Sequence, residues 1–90
     1  MDVKLRVFKA VANEKRMRMI ESLHRKGRIS LREISNILDI PEATACRNLK
    51  ILENAGLVKS EIRNGIAAYW IDNAKTPSVI HDVLQIIIRK

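Results

Sequence analysis

Apolar residues recur every three or four positions along most of the chain, which is the spacing of one buried helical face. Five segments show this spacing and are predicted to be helices: residues 3–12, 14–26, 31–38, 42–55 and 77–89. Between the fourth and fifth segments the period changes to two, which predicts strands at residues 57–63 and 66–71. The pattern predicts a mainly helical chain with one small β-hairpin.

Residues at the ends of these segments support the boundaries. Asn13 and Ser30 have side chains that cap helices, and Gly27 and Gly56 can end helices in the left-handed conformation. Pro41 ends the third helix, because the residue before a proline disfavours helical geometry, and it suits the first turn of the fourth helix. The third and fourth helices are therefore separated by a turn of three or four residues.

The remaining junctions also carry turn and cap signals. Asn64-Gly65 lies between the two predicted strands and favours the type I′ turn of a hairpin. Residues 28 and 29 are predicted to add one further short strand. Thr76 and Pro77 have the order of an N-cap followed by the first residue of a helix, so they are predicted to begin the last helix.

Composition bounds the class of protein. The chain has 90 residues, 47% of them hydrophobic, which fits one folded domain and is too apolar for a disordered basic tail. We predict a single domain over residues 1–90. The net charge of +7 favours a polyanionic partner, and nucleic acid is the first candidate. The lone Cys46 fits a reducing compartment, and no Cys and His cluster has zinc-site spacing, so neither metal nor cofactor is predicted.

Several functional classes are not supported by the sequence. The first residues lack the apolar stretch of a signal peptide, and the longest apolar run, residues 66–71, is far shorter than the roughly 20 residues that span a bilayer. No nucleophile with a base, glycine-rich phosphate loop or defined carboxylate pair is present. We therefore expect a cytoplasmic protein that binds no membrane and is not an enzyme.

The fourth predicted helix carries the candidate DNA contacts. Its apolar face is predicted to be Ala45, Leu49 and Leu52, and a rotation of 100° per residue places the basic residues on the opposite side. An α-helix fits the major groove of B-DNA, where such a face can reach base edges and phosphates. The predicted DNA-binding residues are Glu42, Ala43, Thr44, Cys46, Arg47, Lys50 and Arg63.

Within this set the predicted roles differ. Arg47 is long enough for a bidentate contact to guanine, Thr44 can bond a base or phosphate, and Lys50 is assigned to phosphate. The alternative for the two basic residues is an ordinary solvated helix face. Cys46 is either a small residue packed beside DNA or a thiol whose oxidation weakens DNA binding.

The last predicted helix is apolar on more than one side, so it needs two covering surfaces. One is the chain's own core, and the other is predicted to be a second subunit, with the terminal helices 3–12 and 77–89 as dimerisation elements. The predicted interface residues are Leu5, Phe8, Ile80, Val83, Leu84 and Ile87. The alternative is a helix buried locally in a monomer.

Helices followed by a tight turn, another helix and a hairpin form the order of a winged helix-turn-helix. Residues 8–70 resemble the ArsR-type repressors, most closely in LKILENAGLV at 49–58 and ANEKR at 12–16. The resemblance implies a dimeric regulator, a repressor of transcription that occupies a palindromic operator in double-stranded DNA, with an unknown effector. The rival classes are a winged-helix protein-interaction module and a nonspecific nucleic-acid-binding protein.

The sequence departs from the family pattern at three places. ArsR relatives often sense metal through a cysteine pair early in the third helix or His and Asp pairs in the last, but here Ser30 and Arg32 stand at the first place and only His81-Asp82 at the second. This predicts a regulator that does not respond to metal. Basic residues often follow the hairpin glycine, where this chain has Ile66 and Ala67, which leaves Arg63 as the predicted wing contact.

Overall fold

The structure, a computed structural model, describes residues 2–71 and 78–88, with side chains described for residues 2–71 and 81–88. Its elements in chain order are α1 (Val3–Val11), α2 (Glu14–Lys26), β1 (Ile29–Ser30), α3 (Leu31–Leu38), α4 (Glu42–Asn54), β2 (Lys59–Arg63), β3 (Ile66–Trp70) and α5 (Ser78–Ile88). Thr76 and Pro77, and the predicted helix end at residue 89, lie outside the described residues. The first and fourth helices are each one residue shorter than predicted.

The capping residues act as the sequence indicates. The side-chain oxygens of Asn13 and Ser30 accept the backbone amide three positions further on, at 3.1 and 3.2 Å, and so begin α2 and α3. Gly27 and Gly56 follow the ends of α2 and α4 with φ of +88° and +83°, a conformation that side chains disfavour. These capping residues therefore determine where α2 and α3 begin and where α2 and α4 end.

The turn between α3 and α4 is held by its own hydrogen bonds. Asp39 takes the left-handed conformation at φ +55° and ends α3. The Ser35 hydroxyl donates to the Ile40 carbonyl at 2.5 Å, and the Ile40 amide donates to the Ser35 carbonyl at 3.1 Å. Pro41 is the N-cap of α4, one position before the predicted place in its first turn. The angle between α3 and α4 is thus set locally.

The predicted hairpin is part of a three-stranded antiparallel sheet in the order β1-β3-β2. Asn64 and Gly65 both have positive φ, 54° and 78°, as a type I′ turn requires. The added strand β1 lies at residues 29–30 and pairs Ile29 with Tyr69 of β3. β2 begins two residues later than predicted, because the chain at 57–58 first packs into the core.

One hydrophobic core joins the helices to the sheet. Ala45, Leu49 and Leu52 of α4 are fully buried, as predicted, and each large one contributes roughly 1.5–3 kcal/mol of burial. Val83 and Leu84 of α5 belong to the same core, at 5% and 1% exposure. Both are predicted to lie in a subunit interface, and their burial within their own chain leaves little surface for a partner to cover.

Candidate nucleic-acid interface

The outer face of α4, formed by Ala43, Arg47, Lys50 and Asn54, is exposed to solvent. It lies opposite the buried side of the helix, as the helical rotation predicts. Arg47 and Lys50 form no ion pair with any residue in the described part of the chain. Two positive charges on the exposed side of α4 are therefore free to bind an external anion.

Glu42 and Thr44 are held at the start of α4 by contacts within the chain. The Glu42 carboxylate lies 3.8 Å from Nε of Arg32 on α3, so its negative charge is partly compensated. Thr44 is half-buried, and its carbonyl accepts a hydrogen bond from Nδ2 of Asn48 at 2.9 Å. Both residues border the outer face, but Thr44 has less side chain to offer to DNA than the sequence suggests.

Cys46 is exposed and reduced, and it lies beside the sheet. With Lys50, Glu53, Ser60 and Tyr69 it lines a cleft of about 200 Å³ between α4 and the hairpin. The Ser60 hydroxyl donates to the Glu53 carboxylate at 2.5 Å, which ties β2 to α4. The orientation of the hairpin relative to α4 is therefore fixed by side-chain bonds.

Tyr69 is a largely buried residue of β3 whose hydroxyl has a perturbed pKa. Burial raises the pKa of Tyr69 above its usual value of 10.0, and the nearby charges of Cys46 and Glu53 raise it further. A hydrogen bond between the Tyr69 and Cys46 side chains adds to the same effect. Tyr69 is therefore neutral at physiological pH and supports α4 by packing and hydrogen bonding.

The wing, which is the hairpin β2–β3, differs from α4 in its charge. Arg63 stands before the turn, as predicted, but its guanidinium lies 2.9 Å from the Glu61 carboxylate. The same carboxylate pairs with Arg28, whose guanidinium also lies over the Trp70 ring at 4.4 Å from its centroid. Ile62, which lies between Glu61 and Arg63, is exposed and adds apolar surface rather than charge. The wing therefore presents less free positive charge than its arginines suggest.

Arg16 holds α1 against α4, a role that the sequence analysis missed. Its Nε donates to the Ala10 carbonyl at 2.5 Å and one terminal nitrogen to the Lys9 carbonyl at 3.3 Å. The other terminal nitrogen donates to Oδ1 of Asn48 on α4 at 2.9 Å. Arg16 lies in the ANEKR segment, which the sequence analysis links to the family. The contact with Asn48, 32 positions away, leaves no pattern in the neighbouring residues that could predict it.

Apart from the buried Val83 and Leu84, the predicted interface residues divide into three groups. Leu5 and Phe8 of α1 are exposed. Ile87 of α5 is half-buried against the chain's own core, and the side chain of Ile80 lies outside the described ones. Ile86, which was not among the predicted residues, is 74% exposed. Because α1 and α5 pack on each other, the exposed apolar residues stand on neighbouring helices.

The remaining chemistry of the described residues is limited. Within residues 2–71 and 78–88 no three His, Cys, Asp or Glu side chains gather as metal ligands do. His81 and Asp82 are both exposed on α5. In the same described part, none of the helices combines the length and the apolar character needed to traverse a bilayer.

Comparison with known sequences gives a consistent family. Residues 11–61, more than half of the chain, match a family described as a helix-turn-helix domain. A cadmium resistance transcriptional regulatory protein CadC homolog from Staphylococcus aureus is 28% identical over 80 residues, which cover 89% of this chain and 65% of that protein. The arsenical resistance operon repressor of Bacillus subtilis is 25% identical over 83 residues, covering 92% and 79%. The chain thus spans just under two thirds of the length of the CadC homolog.

Solved structures agree with the fold. The homodimeric winged helix-turn-helix DNA-binding domain of a possible ArsR-family transcriptional regulator from Mycobacterium bovis is similar, with a TM-score of 0.78 and 27% identity over 96% of this chain and 72% of that one. HlyU from Vibrio cholerae has a TM-score of 0.75 and 21% identity over 93% and 90%. The likeness to HlyU shows the fold alone.

The fold and its matches define a class of DNA-binding transcriptional regulators rather than of enzymes. The chain belongs to the helix-turn-helix domain family and is an ArsR-type winged helix-turn-helix regulator. The predicted fold class and family resemblance are thereby confirmed.

Proposed function

We propose that this chain is a homodimeric repressor that binds a palindromic operator in double-stranded DNA through the outer face of α4. The observation that carries the proposal is the exposure of Arg47 and Lys50 without any carboxylate partner in the described part of the chain. Three arginines of α3 and the sheet region, Arg28, Arg32 and Arg63, are instead paired with glutamates. Arg47 and Lys50 therefore need not break an ion pair to contact DNA.

Three residues of the outer face have a chemical role in this proposal. Arg47 donates two parallel hydrogen bonds to a guanine edge, which is the geometry that a guanidinium offers. Lys50 neutralises a phosphate, since an ammonium group is a compact charge without a preferred plane. Ala43 has no long side chain, so the start of α4 can approach the bases closely. Arg63 contributes weakly, because Glu61 competes for it.

A homodimer is supported by the exposed apolar residues of α1 and α5. Leu5, Phe8 and Ile86 are large apolar side chains with wide access to solvent, and a small domain gains stability when such surface is covered. The similar M. bovis domain is described as homodimeric. Two-fold symmetry sets two recognition helices about 34 Å apart, which suits an inverted repeat read from one side of the duplex.

The dimer is tested by Ile86→Glu, with Ile62→Glu on the wing as the matched control. Both residues are exposed, at 74% and 76%, so neither change places a charge in the core. We expect light scattering to show a dimer for the parent chain and the control, and a monomer for Ile86→Glu. A mass that stays dimeric in the Ile86 variant removes α5 from the proposed interface.

The proposed repressor does not respond to metal through the sites that its family uses. Ser30 and Arg32 stand where metal-sensing relatives have cysteines. The Ser30 hydroxyl caps α3 by accepting the Glu33 amide, and Arg32 carries a positive charge beside Glu42. Neither side chain supplies a thiolate, the ligand that soft metals prefer. We expect Cd²⁺ or Zn²⁺ to leave DNA affinity unchanged. A metal-dependent loss of binding that disappears on chelation contradicts this part.

The function is tested by selection from random duplex DNA followed by titration at several salt concentrations. We expect an enriched inverted repeat whose affinity falls steeply with salt, because bound phosphates release counterions. Arg47→Ala should cost about 1–3 kcal/mol on that site and relax one base position. Lys15→Ala, an exposed change on α2, serves as the control. No enriched sequence, or binding that barely changes with salt, favours a protein-interaction module instead.

A further inference from the structure

A second concave surface lies between α1 and α4, away from the cleft beside the wing. It has a volume of about 580 Å³ and is lined by Arg6, Lys9, Ala10, Arg16, Ile51 and Asn54. This volume falls within the range of roughly 300–1,000 Å³ that small-molecule sites occupy. We refer to it as the α1–α4 pocket.

The charge of the α1–α4 pocket is not balanced. Arg6 and Lys9 are exposed and have no ion pair within the described part of the chain. Arg16 is half-buried, and all three of its described side-chain bonds go to neutral oxygens, two carbonyls and one amide. Three positive charges thus line one pocket that has no acidic lining residue, and an anion relieves their mutual repulsion.

The pocket also has an apolar wall. Ile51 is 43% exposed although the other large aliphatic residues of α4 are fully buried, and Ala10 continues this wall on α1. A bare inorganic anion leaves the Ile51 side chain in water, whereas a ligand with an apolar body covers it. Asn54 adds a neutral hydrogen-bonding side chain at the rim.

We propose that the α1–α4 pocket binds a small organic carboxylate with an apolar body. The carboxylate is held by Arg6 and Lys9 beside the positive charge of Arg16, and the body lies against Ile51 and Ala10. This pairing of convergent charges with an apolar wall is how small-ligand sites gain both affinity and orientation.

The position of the pocket gives the ligand a regulatory effect, and this part rests on the proposed DNA-binding function. Ile51 follows Arg47 by one helical turn on α4, so a ligand bound there adds negative charge close to the outer face. Negative charge beside a DNA-binding surface lowers its affinity for a polyanion. By linkage, bound DNA lowers the affinity for the carboxylate by the same factor.

Binding is tested on the full chain without DNA by isothermal titration calorimetry, with benzoate as the probe. We expect saturable binding of benzoate and none of acetate, which carries the charge but too little apolar surface. The double variant Arg6→Gln/Lys9→Gln should weaken benzoate binding at least about tenfold, since two charge-assisted contacts are lost. The control, Arg18→Gln/Lys15→Gln, removes the same charge from exposed positions of α2 and should change nothing.

A further variant separates the apolar wall from the charges. Ile51→Ala should weaken benzoate binding several-fold and leave helix α4 intact, because Ile51 is partly exposed and alanine favours helix. Circular dichroism and thermal unfolding confirm that each variant is folded. If acetate or inorganic phosphate binds as tightly as benzoate, the apolar wall has no role and the proposal is wrong.

Two other outcomes also contradict the proposal. The first is the absence of saturable benzoate binding. The second is that Arg6→Gln/Lys9→Gln lowers the affinity for duplex DNA of every sequence, while benzoate has no effect on DNA binding. That result would show that Arg6 and Lys9 contact DNA phosphates instead of a carboxylate ligand. The regulatory part is supported if benzoate weakens operator binding by the parent chain and not by the double variant. A chain that binds benzoate but no duplex contradicts the proposed function and leaves the pocket assignment intact.

Discussion

Helix α4 and the wing stand side by side and both carry arginine, but their charges are arranged in opposite ways. On α4, Arg47 and Lys50 have no acidic partner in the described part of the chain. On the wing, Glu61 pairs with both Arg63 and Arg28. A count of arginines treats the two regions as equivalent, whereas Arg47 can bind phosphate without first breaking an ion pair and Arg63 cannot.

The two regions also differ in how they are supported. The inner side of α4 is fully buried at Ala45, Leu49 and Leu52, so its outer face is presented by a rigid helix. The wing exposes the apolar residues Ile62 and Ile66 near its turn. We therefore propose that affinity and sequence preference are concentrated on α4, and that the wing contributes shape more than charge.

The largest expected difference between the two regions is in stability. Leu49→Ala leaves a cavity in the core and should lower the free energy of unfolding by about 2–5 kcal/mol. Ile62→Ala on the wing removes a side chain that is 76% exposed and should change it by less than about 0.5 kcal/mol. Urea unfolding followed by circular dichroism measures both. Equal losses indicate that the wing packs more tightly than the structure shows.

The next difference concerns DNA affinity. Lys50→Ala should weaken binding about equally on all sequences and reduce the slope of log affinity against log salt by about 1, as expected when one phosphate contact is lost. Arg63→Ala should change that slope by much less, because its charge is already shared with Glu61. Fluorescence anisotropy at four salt concentrations measures the slopes. A larger change for Arg63 reverses the ranking of the two regions.

A smaller effect comes from releasing the wing charge. Glu61→Gln removes the carboxylate that holds Arg63 and Arg28, and it should strengthen DNA binding, by no more than the roughly 0–1 kcal/mol that exposed ion pairs are worth. Glu14→Gln, an exposed change of the same type on α2, provides the control. If Glu61→Gln weakens binding, the ion pairs of Glu61 hold the wing in the orientation that DNA binding needs, and their main effect is not to neutralise the wing's arginines.

The smallest effect lies at the joint between α4 and the wing and concerns pH. The pKa of Tyr69 is raised in the folded chain, so folding favours the protonated hydroxyl. The contribution of Tyr69 to the free energy of unfolding is fully present below pH 10. It is lost as the pH rises from 10 through the pKa of Tyr69 in the folded chain, because Tyr69 ionises at lower pH in the unfolded chain. Tyr69→Phe should flatten this part of the stability profile. Equal slopes for both chains above pH 10 contradict it.

Much of this arrangement follows from local sequence rules. The period of the apolar residues predicts α4 and its outer face, and Asn64-Gly65 predicts the turn of the wing, because both depend on residues close in sequence. Local patterns show which side of a helix is apolar but not what covers it. For that reason the sequence predicts a partner subunit over Val83 and Leu84, whereas the structure shows the chain's own core covering them.

The contacts that distinguish α4 from the wing were not predictable in this way. Arg16 reaches Asn48 across 32 positions, and Glu61 meets Arg28 only because β1 joins the sheet beside β3. Neither pairing has a signature in residue type or spacing. The charge that a region offers to DNA depends on such contacts, so it can be assigned only once the fold is known.

The most direct test of the central claim is to titrate the isotopically labelled chain with its selected duplex and follow backbone amide chemical shifts. We predict that the largest changes fall at Ala43, Arg47 and Lys50 on the outer face of α4, with smaller changes at Arg63. Changes confined to α1, α5 or the wing, with α4 unaffected, would contradict the account.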